Sequence, residues 1–198
     1  MDTVAVTHDL KIITRPTAEH LAEVFGAGAL WRPTETPAKL VDAETLEFLR
    51  TTGFPAVKFG RFDIDSSTLP VKGPWEADAD EIFGRRDPDD DSPPTAVSYA
   101  FATYNEYHLM VDGKTGAVEV YYPSGWDHGE GHQGLAFDGI AELAGAMALL
   151  KRCEERIEAG EAPAAIADLR ATIGGLGWGD AHFWEWIFEG LEDEFGEG

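Results

Sequence analysis

His128 and His132 stand four residues apart in the string DHGEGH, beside Asp127 and Glu130. Imidazole and carboxylate groups are ligands for zinc and other divalent metals. Histidines at this spacing converge dependably only on a helix, and the interleaved glycines argue for a loop instead. The string also differs from H-E-x-x-H, where a glutamate beside the first histidine acts as the base. Cys153 is the single cysteine, so no internal disulfide can form. As a nucleophile it would need a lowered pKa. Glu154 and Glu155 follow it directly and oppose a thiolate, so it reads as a small buried residue. The phosphate-cradling pattern G-x-x-x-x-G-K-[ST] and the nucleophile elbow G-x-S-x-G do not occur. With 37 acids, carboxylate pairs are too abundant to single one out. The residues point to no catalytic site, no metal and no cofactor.

What the chain does carry is charge. Lys and Arg total 15 against 37 Asp and Glu, a formal net charge of −22. Phosphate backbones and anionic lipid surfaces are bound by Lys/Arg stripes, so direct nucleic-acid or membrane binding is not expected. A basic protein partner is the complement, because opposite fields speed encounter. Two stretches concentrate the acids. Asp63 to Asp91 holds ten, and Trp178 to the end holds seven with no Lys or Arg. Most such residues solvate a surface. In the first stretch they surround Trp75, an anchor type enriched at interfaces. The candidate partner-binding residues are therefore Trp75, Glu76, Asp78, Asp80, Glu81, Asp87, Asp89, Asp90 and Asp91, with Trp126 as a second anchor. The tryptophans of the last helix read as core.

The elements that position these residues are legible from pattern. Hydrophobic residues make up 43% of the 198, a globular composition of one-domain length. No apolar run approaches a membrane span, and MDTVAVTHDL lacks the basic-then-apolar order of a signal peptide, so a cytoplasmic protein is expected. Residues 17–25 predict a short helix capped by Thr17. LVDAETLEFLRTTGFP predicts a second. There Asp42 is the N-cap, Val41 and Leu46 stand at hydrophobic-staple spacing, and Gly53 adopts the left-handed cap before Pro55. Residues 26–38 read as a loop, and 56–64 and 95–104 as strands. YHLMV and AVEVYY around DGKTG form a hairpin. An acidic insertion at about 63–94 reads as exposed loops around a short edge strand, and residues 123–134 as a glycine-rich loop. A long helix at 138–159 is capped by Asp138 and ended by Gly160. A further helix begins near Pro163, and a last one follows Asp180 with Trp184, Ile187, Phe188, Leu191 and Phe195 on one stripe. Helices flanking antiparallel strands make this α+β.

The order of pieces is itself informative. A capped helix ends in Gly-Phe-Pro, and a strand block precedes YHLMVDGKTGAVEVYYP. A loop then feeds FDGIAELAGAMALLKRC, and HFWEWIFEGLEDEF closes the chain. Over residues 17–195 this resembles the SUKH superfamily of bacterial immunity proteins, in particular its fourth subgroup. The resemblance implies a single α+β domain with a central, mainly antiparallel sheet and helices packed around it. It also implies a non-enzymatic binder that neutralises a cognate toxin domain, a nuclease or nucleic-acid deaminase. The positions matched, Gly53, Pro55, Gly113 and Gly116, hold turns. A regulatory or scaffold domain without a toxin partner is the alternative, and a metal-dependent hydrolase using His128 and His132 a further one. Oligomeric state is left open.

Overall fold

The computed structural model describes residues 13–78, 97–122 and 131–195. Among them run helices α1 (Ala18–Phe25), α2 (Ala43–Thr51), α3 (Leu69–Lys72), α4 (Ile140–Glu158), α5 (Ala162–Leu176) and α6 (His182–Phe195). The strands are β1 (Leu30–Trp31), β2 (Phe54–Pro55), β3 (Lys58–Phe59), β4 (Ile64–Asp65), β5 (Trp75–Asp78), β6 (Val97–Tyr104), β7 (Tyr107–Asp112), β8 (Val118–Tyr121) and β9 (His132–Phe137). Seven strands form one sheet in the order β3-β4-β6-β7-β8-β9, with β5 also on β6, and all pairings are antiparallel. The fold is α+β with helices around a central antiparallel sheet, as expected.

Period-two alternation divides the sheet into two faces. Leu109 and Val111 of β7 and Val118 and Val120 of β8 enter the main core, where α4 supplies Leu143, Met147 and Leu150 and α6 supplies Phe183 and Trp184. The alternate residues Met110 and Tyr121 join Ala77 in a small second cluster on the other face. Cys153 is buried in the main core, and burial pushes its thiol pKa up against the weaker pull of Arg156 and Arg61. It is a structural thiol, not a poised nucleophile.

Three local expectations hold. Thr17 caps α1, its Oγ1 accepting from the His20 N–H at 3.3 Å. Asp42 caps α2, its Oδ2 accepting from the Thr45 N–H at 2.7 Å. Gly53 lies at φ +82°, and its N–H donates to the Phe48 carbonyl at 2.9 Å. The hairpin is also as read. Asp112 Oδ1 accepts from the N–H groups of Lys114 and Thr115 at 2.8 and 2.6 Å, and Gly116 takes φ +77°.

Other expectations are corrected. Residues 56–64 are not one strand but a tight hairpin, β3–β4, because Phe59, Phe62 and Ile64 all bury and only a reversal brings them inward together. Residues 26–38 include a 3-10 turn and β1, which pairs with β2 at Leu30–Pro55 and Trp31–Phe54. The loop read over 123–134 gives way to β9 from His132, since β8 needs a partner for its second edge. Gly139, not Asp138, precedes α4, and no side chain caps it. Asp180 stands two residues before α6. Val41 is 59% exposed, so no hydrophobic staple closes over α2. In the acidic insertion, β4, α3 and β5 replace loops over 64–78, and β5 is the edge strand anticipated. The remainder of the insertion falls outside the described residues.

What fixes the entry to α2 instead is the hairpin turn. The Gly113 carbonyl accepts from the N–H groups of Val41 and Asp42 at 2.7 and 3.1 Å, and its own N–H donates to Val97 O at 2.7 Å. A Cβ on Gly113 would meet Lys39 O at 2.8 Å and Val97 O at 3.0 Å. Both are backbone atoms within hydrogen-bonded segments and neither can swing aside. Gly113→Ala is expected to lower the unfolding free energy by about 1–3 kcal/mol, the usual cost of overpacking. Urea denaturation of the variant beside Asp42→Ala, which loses only a cap worth about 1 kcal/mol, checks it.

Candidate partner-binding surface

Gly73 at φ +67° ends the short helix α3 and turns the chain into β5. Strand β5 pairs with β6 in the register Trp75–Ala100, Glu76–Tyr99, Ala77–Ser98 and Asp78–Val97. Among the described residues no strand lies on its other side. The row through Trp75 continues over Ala100, Met110, Glu119 and Leu135, crossing the sheet on the face away from the main core. Its two ends are large exposed apolar groups, Trp75 at 44% and Leu135 at 51%.

Trp75 is not isolated. Its ring centroid lies 5.3 Å from the His108 ring and 6.3 Å from Tyr121, stacked on the latter. His108 and Tyr121 are cross-strand partners in the next row. His108 is half-buried, and its Nδ1 is enclosed without a hydrogen-bond partner. Burial pushes its pKa below the ordinary 6.5, so the ring is neutral at pH 7. Beyond Tyr121 lies His132, whose Nε2 is 3.5 Å from the Glu119 carboxylate. This face therefore offers an aromatic anchor and two histidines. Glu76 alternates to the opposite side of β5 and pairs with Lys39 at 3.1 Å. That ion pair is half-exposed and contributes little stability, and it neutralises one of the acids counted for docking.

The sequence-derived residues thus divide. Trp75, Glu76 and Asp78 share one edge strand. Asp80, Glu81, Asp87, Asp89, Asp90, Asp91 and Trp126 lie outside the described residues, as do Asp127, His128 and Glu130. Among the described residues no group of three or more His, Cys, Asp or Glu is placed to hold a metal ion. Sequence reasoning missed His108 and Tyr121. Their opposition follows from the D-G-K-T-G hairpin register, but contact with Trp75 requires the long-range pairing of β5 with β6.

Two concavities complete the surface. A cleft of about 440 Å³ between α1, α4 and α5 is lined by Leu21, Val24, Leu149, Cys153 and Leu169. A charged notch holds Glu154, 4% exposed, which accepts from the Arg61 N–H at 2.8 Å and Lys151 Nζ at 2.7 Å. Burial alone would raise the Glu154 pKa, yet these donors hold it below its ordinary value. The ion pair with Lys151 lies within α4, and the hydrogen bond from the Arg61 backbone N–H joins the β3–β4 turn to it. The cleft also holds His20 beside its lining Cys153, but the buried thiol has its pKa raised and the His20 Nδ1 accepts from the Thr17 N–H at the α1 cap at 3.4 Å.

Because the folded state holds His108 neutral, unfolding allows it to take up a proton below pH 6.5. Its contribution is complete above that pH and declines as pH falls through it. In urea titrations at pH 7.5 and 5.5, His108→Gln is expected to lose less stability between the two than the wild type. The His108 ring carbon and proton shifts, followed by NMR, should titrate below 6.5.

No helix among the described residues is long and apolar enough to cross a membrane. Searches of curated proteins and of solved structures each found no match to the chain. A family model does match, that of the SUKH-4 immunity proteins, over residues 16–173. The matched range runs from the residue before the α1 cap into the last turn of α5 and takes in the whole described sheet, including Gly53, Gly113 and Gly116, whose turns position the rest. With most of its length inside that model, and with the α+β architecture its sequence implied, the chain belongs to the SUKH-4 immunity protein family.

Proposed function

We propose that the protein is the cytoplasmic antidote to one bacterial toxin domain, a nuclease or nucleic-acid deaminase, and that it acts by stoichiometric binding without catalysis. The observation that carries this reading is membership of an immunity protein family in a chain of net charge −22. An enzyme acting on nucleic acid presents positive charge to its substrate. An acidic protein binds that same surface as a competing polyanion. Affinity and slow release then decide protection, and turnover plays no part.

The interface in this proposal is built on Trp75, Glu76 and Asp78 of the β5 edge, and continues through Asp80, Glu81, Asp87, Asp89, Asp90 and Asp91. Trp126 serves as a second anchor. The half-exposed Trp75 ring, already stacked on Tyr121, supports this placement. It offers a rigid aromatic surface with little conformational entropy left to lose on binding.

The test is co-expression of the tagged chain with the product of its neighbouring gene, followed by purification across a salt series. A one-to-one complex and protection of the cells are expected. Replacing the acids between Glu76 and Asp91 by Lys should weaken the complex about 100-fold or more and flatten its salt dependence. Trp75→Ala should raise the dissociation rate about thirtyfold or more, the lower end of a hot-spot truncation. Wild-type affinity in the charge-reversed variant would move the interface elsewhere. Purification without a partner and without protection would favour a scaffold role.

A further inference from the structure

Helices α1 and α5 both pack on α4 and leave between them the cleft of about 440 Å³, with α4 as its floor. That volume lies within the roughly 300–1,000 Å³ of small-molecule pockets. The sequence accounts for its depth. Gly145, Ala148, Leu149 and Cys153 recur along α4 at three- and four-residue steps, so they share one face, and the first two are small. Leu21 and Val24 of α1 form one wall, and Leu169 of α5 belongs to the other. The chain before α1 crosses α4 at Gly145, where the Ile13 carbonyl leaves no room for a Cβ, and closes that end. From Gly145 to Arg152 the floor runs about 10 Å at the helical rise, which suits an acyl chain of medium length.

Charge in the cleft runs against the rest of the chain. The protein has 37 acids and 15 Lys and Arg. Among the described residues the lining holds Arg152 and Arg156 with one acid, Asp168. Asp168 is already engaged, its Oδ2 accepting from Arg156 at 2.8 Å, and Arg156 also donates to Glu161 at 3.1 Å. Arg152 is exposed, and no ion pair ties it to any described residue. A guanidinium presents paired donors that match the plane of a carboxylate. An apolar floor beside an unpaired guanidinium is thus complementary to an apolar chain with an anionic head. Helix α4 faces the main core, whereas the Trp75 row crosses the far face of the sheet, so the cleft is separate from the surface described above.

We propose that the cleft between α1 and α5 binds a free medium-chain carboxylate, its chain lying along α4 and its head on Arg152. The inference stands apart from the toxin reading.

The test is calorimetric titration of the full chain with octanoate, decanoate, dodecanoate and decyltrimethylammonium, all as monomers. The ammonium ion has the chain length of decanoate and the charge that a −22 field favours. Decanoate is nonetheless expected to bind about tenfold more tightly or better. Octanoate to decanoate should gain about fivefold or more, since a fully buried methylene is worth about fourfold. Dodecanoate should gain less, because the closed end stops the chain. Arg152→Gln, at an exposed position, should weaken decanoate about tenfold and leave the ammonium ion within about twofold. Ala148→Phe, checked for folding by circular dichroism, should fill the floor and abolish decanoate binding. Decanoate should also slow alkylation of Cys153, the only thiol of the chain. Equal or tighter binding of the ammonium ion, or unchanged decanoate affinity in Arg152→Gln, would overturn the proposal. Saturation by decanoate without protection of Cys153 would do the same. Binding that appears only after deletion of residues 1–12 would make the chain's own amino terminus the occupant and sink the idea. So would co-sedimentation with phosphatidylglycerol vesicles in the absence of decanoate binding, which would assign the cleft to a membrane surface. None of these results bears on the toxin reading, which co-expression tests separately.

Discussion

The fold is organised around one close approach of three backbones. Gly113 sits where the β7–β8 turn, the start of β6 and the chain entering α2 converge, and it hydrogen-bonds to the other two. No side chain fits between them, because Lys39 O and Val97 O occupy the space. A Cβ on Gly116, three residues on, would likewise run into the capping carboxylate of Asp42, 2.5 Å away. The hairpin turn therefore seats on the N-terminal end of α2, and Asp42 is held to its cap by surroundings as well as by Thr45. With this joint made, the register of β6, β7 and β8 is set relative to α2, and the sheet can present one face to the helices.

That commitment leaves the second face of the sheet with a different character. The main core takes the large residues at alternate positions, and the opposite positions hold Met110, Tyr121, His108 and Glu119. Trp75 joins them from the edge strand β5. A half-buried neutral histidine against a half-exposed tryptophan contributes modestly to stability. Glu76 in the same strand alternates to the other side, so one short strand displays an apolar and an anionic group to different directions. Its neighbours in sequence add acids and few bases.

Charge is handled differently in different parts of the molecule. Glu154 is buried, satisfied and tied to Lys151 and Arg61. Glu192 and Glu194, near the carboxyl end of α6, are matched by Arg170 and Arg61. Among the described residues, other acids such as Glu35, Glu44 and Glu189 are exposed, where desolvation costs are small and the field reaches outward. The internal pairs hold elements together, while the exposed acids leave a negative field at the surface.

Local rules in the sequence determined the caps at Thr17 and Asp42, the left-handed turn at Gly53, the D-G-K-T-G hairpin and the long amphipathic helix, because each depends on neighbours within a few residues. They also determined the α+β class, the family resemblance and the sign of the charge. The tertiary structure decided what non-local pairing controls. Strands β1 and β9 carry weak patterns of their own and exist because β2 and β8 offer unpaired edges. The β3–β4 reversal follows from three aromatic and aliphatic groups sharing one core. The contact of Trp75 with His108 and Tyr121, and the stacking of Trp186 on Tyr107, join residues far apart in sequence. Composition alone placed the terminal tryptophans together in the core. Only the rotation of α6 against the sheet decided that Trp184 is fully buried while Trp186, packed at the edge of the same core, is partly exposed, because a helix turns about 100° per residue and a two-residue step changes its face.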